Sequence, residues 1–334
     1  MKNKTDDKKK EYNRKKRRIL LLILLMFLMI FLLGGSSFAW FSSNKHATIE
    51  SIDINVATIT GLQVSVDAID WKNEVSKEEI VNAYRTYAMA ENQMPDTLSN
   101  VSTAGGITAG KMDMFYGITS EQKNGGFTLT TAKQTEINCY GDEECGGKHY
   151  IAFDIFLLVT TPATIAITGN SNVIPQAGAI DKGSQNAARV GFVVEGTVGG
   201  SDTYGAQALR GGLYSLIWEP NYDRHTPTGI ANARNVYGIN TAASGAARIP
   251  YRGVNTAFQT PVYIDQTDRS SYFTPVNPKV ATVQGFTDNQ ELMNIPIGIT
   301  KVRVYMWLEG QDVDMENNVS ATKLTYNLEL SMIN

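Results

Sequence analysis

The chain has 334 residues, of which 43% are hydrophobic, so it is long enough to bury a large core. Only 19% of the residues are charged, which excludes an intrinsically disordered protein and a coiled coil. Residues 1–18 carry a local charge of +7, and the rest of the chain a net charge of -10. The net negative charge of residues 19–334, the body of the protein, excludes nucleic acid as a partner, because contacts with phosphate need clustered Lys and Arg.

A basic and then apolar segment opens the chain. Lys15-Lys16-Arg17-Arg18 precedes Ile19–Leu33, a run of 15 apolar residues. The first alternative is a signal peptide that is cleaved after Ala39. Ser37 and Ala39 then supply the small residues at positions -3 and -1 from the cleavage site. As an uncut anchor, residues 19–41 form about 34 Å of helix, enough to cross a bilayer. Both alternatives place the basic tail in the cytoplasm and the body outside.

These features divide the chain into three parts. Residues 1–18 are a basic cytoplasmic tail, residues 19–41 a transmembrane anchor or signal peptide, and residues 42–334 an extracellular domain. The N-terminal helix therefore has the membrane as its partner. We expect either a single-pass membrane protein or a protein that is secreted after cleavage.

Alternation of apolar and polar residues predicts a body built mainly from strands. A period of two indicates a strand with one buried face, and runs that are apolar on both faces indicate central strands. The alternating segments are Ile52–Val56, Leu62–Ala68 and Leu324–Met332, and the apolar runs are Tyr150–Val159, Val190–Val194 and Val302–Leu308. Further strands are predicted at Met112–Ile118, Phe127–Thr131, Ala163–Thr168, Leu213–Glu219, Pro261–Asp265 and Lys279–Phe286. About a dozen short strands with Gly, Asn, Ser and Thr turns predict a jelly-roll-like β-sandwich.

One helix is predicted between the strands. Ser76 and Glu79 have the spacing of a capping box, and apolar residues follow at helical spacing, so we expect a helix over residues 77–91. Residues 92–110 and 220–260 are predicted as long connections. At the C-terminus we expect Ile299–Glu309 and Thr322–Ile333 to pair as an antiparallel hairpin, with the apolar residues of the second strand facing the core.

The two cysteines fit an exported body. Cys139 and Cys145 bracket five residues of a polar loop, and in an oxidising exterior such a pair forms a local disulfide. The alternative is a metal or redox pair. A zinc site needs four ligands, with His149 the only further candidate nearby, and a redox pair has the spacing C-x-x-C, which this pair lacks.

Motifs of catalysis are missing from the sequence. It contains no H-E-x-x-H, no G-x-S-x-G and no phosphate-binding loop, and its three histidines are His46, His149 and His225. We therefore name no catalytic residue, no bound cofactor and no enzymatic activity. His225 lies in a polar and aromatic cluster over residues 218–226 that can shape a binding pocket; we favour a strand end with a capped turn.

An acidic segment offers a candidate calcium site. Asp312, Asp314 and Glu316 alternate as at the opening of an EF-hand loop, but Asn317 stands where that loop needs Gly, and Lys323 where it needs Glu. A looser site remains open, because calcium is abundant outside the cell and needs only oxygen ligands. The alternative is a solvated acidic hairpin turn.

The residues around the end of the apolar segment resemble a known family. Gly34–Ser43, which reads GGSSFAWFSS, is similar to the start of the camelysin/TasA-like surface proteins of Gram-positive bacteria. The later segments Tyr150–Leu158, Ala188–Val193, Ile217–Asn221 and Trp307–Asp312 resemble parts of Firmicutes envelope proteins of similar layout. The resemblance implies an exported jelly-roll-like domain, assembled in some relatives into biofilm matrix fibres by strand exchange. Some relatives are described as metalloproteases, but this sequence has no zinc motif.

Two classes of function follow. The first is a structural or interaction protein of the cell envelope that contacts matrix, wall or other copies of itself. If it builds fibres, we expect the segment His46–Val56 to be the strand that is donated, because it follows the export segment directly. The alternative is an envelope hydrolase acting on glycan or peptide, since a pair of catalytic carboxylates leaves no sequence signature.

Overall fold

The computed structural model describes most of the body and none of the first 51 residues. The described residues all belong to one compact unit. They are residues 52–59, 61–121, 123, 127–148, 150–177, 183–235, 249, 251–259, 262–263, 273–280, 289–315 and 323–333. The predicted tail, the apolar segment, the cleavage position after Ala39 and the residues of the family resemblance at Gly34–Ser43 lie outside them.

The body is mainly β. The strands are β1 Ile52–Ile59, β2 Gln63–Ser65, β3 Glu74–Ser76, β4 Gln93–Met94, β5 Asn100–Val101, β6 Ile107–Thr108, β7 Lys111–Met112, β8 Phe115–Glu121, β9 Phe127–Lys133, β10 Cys139–Tyr140, β11 Ile151–Val159, β12 Ala163–Ile167, β13 Asn172–Pro175, β14 Ala188–Val198, β15 Tyr214–Glu219, β16 Arg252–Gly253, β17 Val262–Tyr263, β18 Thr274–Pro275, β19 Lys279–Val280, β20 Gln290–Ile295, β21 Gly298–Glu309 and β22 Leu324–Ile333. The helices are α1 Lys77–Asn82, α2 Gly141–Cys145, α3 Thr203–Ala208 and α4 Pro227–Asn235, with 3-10 turns at Ala83–Arg85 and Ser184–Ala187.

The smaller of two main sheets brings the two ends of the described body together. Its strands run in the order β20-β12-β22-β1-β3, and β13 also pairs with β22. β1 pairs with β22 in parallel along its whole length and with β3 in antiparallel fashion. The first described strand therefore lies inside the sheet, between its neighbours.

The larger sheet contains the three long apolar strands. Its order is β10-β4-β11-β21-β14-β15-β19, with β2 pairing with β11 and β5 with β21. β21 lies between β11 and β14 and is antiparallel to both. All twelve of its residues are buried, as expected of a central strand covered on both faces.

One hydrophobic core joins the two sheets. It combines Ile54, Val56 and Leu328 from the small sheet with Phe153 and Val304 from the large sheet. The other face of the large sheet is covered too, by a second apolar cluster that includes residues of the 101–116 segment. Charged side chains that point away from the main core are therefore still buried, which creates the ionic clusters described below.

The predicted C-terminal hairpin is wrong. β21 lies in the large sheet and β22 in the small one, so the two strands do not pair with each other. Their burial explains the difference: β22 alternates between buried and partly exposed residues, whereas β21 is buried throughout. The expected core positions of β22 are correct, because Leu324, Tyr326, Leu328 and Leu330 are all buried.

Several local predictions are also corrected. The capping box of Ser76 and Glu79 is present, but α1 ends at Asn82, since the chain tightens into a 3-10 turn and Tyr87 is drawn into the interior by a hydrogen bond to Gln207 O. The predicted strand Leu62–Ala68 is extended only over β2, and the chain beyond it turns, with Ala68 at a positive φ of 61°. The predicted connection 220–260 contains the helix α4.

Candidate functional site

The two predicted calcium ligands that the structure describes lie in a buried loop. Asp312 and Asp314 follow the end of β21, where residues 310–315 are all buried. This contradicts the alternative prediction of a solvated acidic turn at these residues. Glu316, the third predicted ligand, lies outside the described residues.

His225 joins these carboxylates. Its Nδ1 lies 2.8 Å from Asp314 Oδ2 and 3.9 Å from Asp312 Oδ1, although 89 residues separate His225 from Asp314 along the chain. The loop between β15 and α4 positions the ring, and the first turn of α4 is held to the same carboxylate, since Thr226 donates its N–H and its hydroxyl to Asp314 Oδ1. One carboxylate oxygen each of Asp312 and Asp314 and one ring nitrogen of His225 lie within 4.8 Å of one another, a spacing that suits a metal ion.

A buried arginine already supplies positive charge at this cluster. Arg189 Nη2, at the start of β14, lies 2.5 Å from Glu219 Oε1 and 2.7 Å from Asp312 Oδ2. The Tyr251 ring lies 5.2 Å from the guanidinium carbon. Truncating one partner of such a buried network leaves an unpaired charge, so we assign Arg189 the role of holding three chain segments together.

The burial of the cluster changes its protonation. Burial alone lowers the pKa of His225, but the hydrogen bond to Asp314 and the charge of Asp312 outweigh it and raise the pKa above its ordinary value. Burial raises the pKa of Glu219 despite the opposing charge of Arg189. Burial also raises the pKa of Glu309 to about 7. The cluster therefore pairs Arg189 and His225 with buried carboxyl groups.

The carboxylate oxygens do not suit a calcium ion in this arrangement. Asp314 Oδ1 accepts from Thr226 and its Oδ2 faces His225, while Asp312 Oδ1 accepts from the Asp314 N–H and its Oδ2 faces Arg189. Calcium needs six to eight oxygen ligands, so an ion here has to displace donors that already satisfy all four oxygens. The residues fit an internal ion-pair cluster better than a metal centre, and the calcium prediction stays untested.

A second buried ionic cluster crosses the centre of the large sheet. Arg303 of β21 donates from Nη1 to Asp154 Oδ1 of β11 at 2.6 Å and from Nη2 to Glu136 Oε1 at 2.5 Å. Lys301 Nζ lies 3.0 Å from Asp154 Oδ2. Each of these charges is nearly fully buried, as their pairing requires.

The disulfide lies at the edge of the same sheet. Cys139 and Cys145 are bonded, with 5.1 Å between their Cα atoms. The bond closes α2 onto β10, and the helix ends at Gly146 in the left-handed region, where glycine carries no steric penalty. This geometry agrees with the predicted disulfide. His149, the additional ligand considered in the metal alternative, is outside the described part of the chain.

A shallow pocket is lined by carboxylates and is therefore the place to look for the catalytic pair of the hydrolase alternative. It is lined by Asp67, Asp70 and Glu79 among other residues. Asp67 Oδ1 accepts the N–H groups of Ile69 and Asp70, and Glu79 completes the capping box of α1. Since Asp67 and Glu79 hold local turns, the pocket offers weak support for a catalytic carboxylate pair.

Sequence reasoning missed Arg189, Glu219 and the role of His225. The signal that was available is a single charge inside an apolar strand, as with Asp154 in YIAFDIFLLV and Arg303 in VRVYMWL. A buried charge needs a partner, so charges of opposite sign in two central strands predict neighbouring strands. No such rule identifies His225, whose partners come from a distant loop.

Comparisons with known proteins add no family. No family model, no curated protein and no solved structure matches the chain. Within the described residues, none of the helices is both long and apolar enough to span a bilayer.

Proposed function

We propose that this protein is an exported structural protein of the cell envelope, whose jelly-roll-like β-sandwich contacts matrix, wall or other copies of itself. The basic and apolar start of the chain supports export, and the disulfide suits an oxidising exterior. The similarity of Gly34–Ser43 to the camelysin/TasA-like surface proteins supports the same class. We propose no enzymatic activity.

The position of β1 is the observation that carries this proposal. β1 is the first described strand after the export segment, and it fills the place between β22 and β3 with Ile54 and Val56 in the core. A strand in this position ties the body to the membrane when it stays in its own sheet. If another copy of the protein supplies this strand, the strand joins the two subunits by strand addition. The gap between β22 and β3 offers both backbone hydrogen bonds and apolar pockets for it.

Two versions of the body test the role of β1. One starts at Trp40 and contains β1, and the other starts at Gly61 and lacks it. If the strand is exchanged between copies, light scattering shows oligomers of the longer body, whereas the shorter body is monomeric or misfolded. If both are monomeric and only the shorter body is destabilised, assembly through this strand is wrong and the tethered-domain form of the proposal remains. If both are equally monomeric and equally stable, both forms are wrong.

Peptide addition gives the matched control. A synthetic peptide of residues 50–59 is expected to bind the shorter body and raise its melting temperature. A peptide of the same composition in scrambled order is expected to have no effect, because register fixes which side chains enter the core. Equal effects of the two peptides contradict a specific site for β1.

A further inference from the structure

Lys301 and Asp154 form a buried pair with unusual surroundings. Lys301 lies on β21 and Asp154 on the adjacent strand β11, and both side chains are no more than 2% exposed. Nζ lies 3.0 Å from Oδ2, yet Oδ2 has no aligned hydrogen bond from any described residue. The amine thus lies in contact with the carboxyl group inside the sheet.

Two aromatic rings lie beside the Lys301 amine. The ring centroids of Tyr87 and Phe156 lie 5.4 Å and 5.8 Å from Lys301 Nζ. Nζ donates to Tyr87 Oη at 2.8 Å and to Leu209 O at 3.2 Å, which fixes the amine in place. A fixed amine and a fixed carboxyl group have a high effective concentration toward each other.

A third buried acid completes the arrangement. Glu195 of β14 is 2% exposed, and burial raises its pKa, with Asp154 acting in the same direction and Lys301 against it. Glu195 therefore interacts electrostatically with both groups, and its Oε2 accepts the N–H of Gly212. Arg303 Nη1 donates to Asp154 Oδ1 and so polarises the carboxyl group from the other side.

We propose that Lys301 and Asp154 condense into an intramolecular amide bond that links β21 to β11. The lysine ammonium first passes a proton to Asp154 Oδ2, and the neutral amine then attacks Asp154 Cγ. The protonated Oδ2 takes up a second proton from the attacking nitrogen, the Cγ–Oδ2 bond breaks, and Oδ2 leaves as water. An ammonium and a carboxylate give one amide and one water, so the step needs no other reactant. Oδ1 remains as the amide oxygen and keeps its hydrogen bond from Arg303.

The pKa shift of Lys301 favours the condensation, and the pKa shift of Asp154 opposes it. Burial lowers the pKa of Lys301, which favours the nucleophilic amine. Burial raises the pKa of Asp154, but the charges of Arg303 and Lys301 outweigh it and lower the pKa, which favours the carboxylate. The amide removes the two opposite charges from the interior together, so that neither partner is left as an unpaired buried charge.

Mass spectrometry of the full chain tests the proposal. The chain is expressed with its export segment, recovered from the envelope in folded form, and reduced so that the disulfide does not contribute. The expected mass is lower than that of the mature sequence by one water, and a digest contains the Lys301 peptide joined to the Asp154 peptide. A folded protein with the full calculated mass, or a water loss that maps to any other residues, overturns the proposal.

Lysine-to-arginine variants supply the controls. Lys301→Arg keeps the positive charge but removes the amine nucleophile, so this variant is expected to have the full mass. Lys72→Arg changes an exposed lysine that is ion-paired with Glu79, and it is expected to retain the water loss. The crosslinked species is expected to run faster on a denaturing gel because its chain is closed into a loop, and this faster band is expected to be absent from Lys301→Arg. Loss of water in Lys301→Arg contradicts the assignment.

Discussion

Val56 of β1 lies directly opposite Leu328 of β22 in a parallel strand pair, and both side chains enter the main core. The pair connects the first described strand with the last one, so the small sheet closes only when both ends of the body are in place. Parallel neighbours need a long connection, and here it is almost the entire domain. Contacts between such distant parts of the chain make folding slow and the ends interdependent.

Replacing Leu328 with Ala tests this closure. Leu328 is 2% exposed, so removing its side chain leaves a cavity between the sheets and is expected to lower the free energy of unfolding by about 2–5 kcal/mol. The matched control is Ile174→Ala on the neighbouring strand β13, where the side chain is 45% exposed and the expected change is within about 0.5 kcal/mol. Urea unfolding of both variants measures the difference, and equal losses contradict the burial of β22.

The alternation of β22 illustrates what the sequence predicts and what it leaves open. Spacing alone assigns the buried face to Leu324, Tyr326, Leu328 and Leu330, since a period of two fixes which residues share a face. The same pattern contains no information about the partner strand. A short acidic segment between two strands favoured a hairpin, but the loop carries Asp312 and Asp314 inward to Arg189 and His225, and the chain crosses to the other sheet.

The pH dependence of stability tests the contact between His225 and Asp314. The pKa of His225 is raised in the folded protein, so its contribution to stability is complete below the unfolded value of 6.5 and is lost as pH rises through the folded pKa. The variant His225→Asn keeps a donor for Asp314 but cannot titrate. Urea unfolding between pH 6 and 9 is expected to show a steeper loss of stability for the wild type than for this variant.

Glu309 titrates near this range in both proteins. Burial raises the pKa of Glu309 to about 7, so stability also falls as pH rises toward that value in wild type and variant alike. The difference between the two curves therefore reports on His225. Parallel curves contradict a charged His225 in the folded state.

Calcium addition tests the candidate metal ligands. Because all four carboxylate oxygens of Asp312 and Asp314 already face donors, we expect no change in melting temperature when calcium replaces magnesium at millimolar concentration. The control is Asp312→Asn, which is expected to lower the melting temperature by the same amount with and without calcium. A rise in the wild type that this variant lacks supports a calcium site instead.

Labelling of intact cells is the most direct test of an exported structural protein. An amine-reactive biotin reagent that does not cross membranes reaches exposed lysines such as Lys72 only when the body is outside. We expect Lys72 to be labelled to the same extent in intact cells and after lysis. We also expect an N-terminus at Trp40 if the segment is cleaved, or retention of the basic tail in the membrane fraction if it is not. Labelling of Lys72 that appears only after lysis contradicts the account.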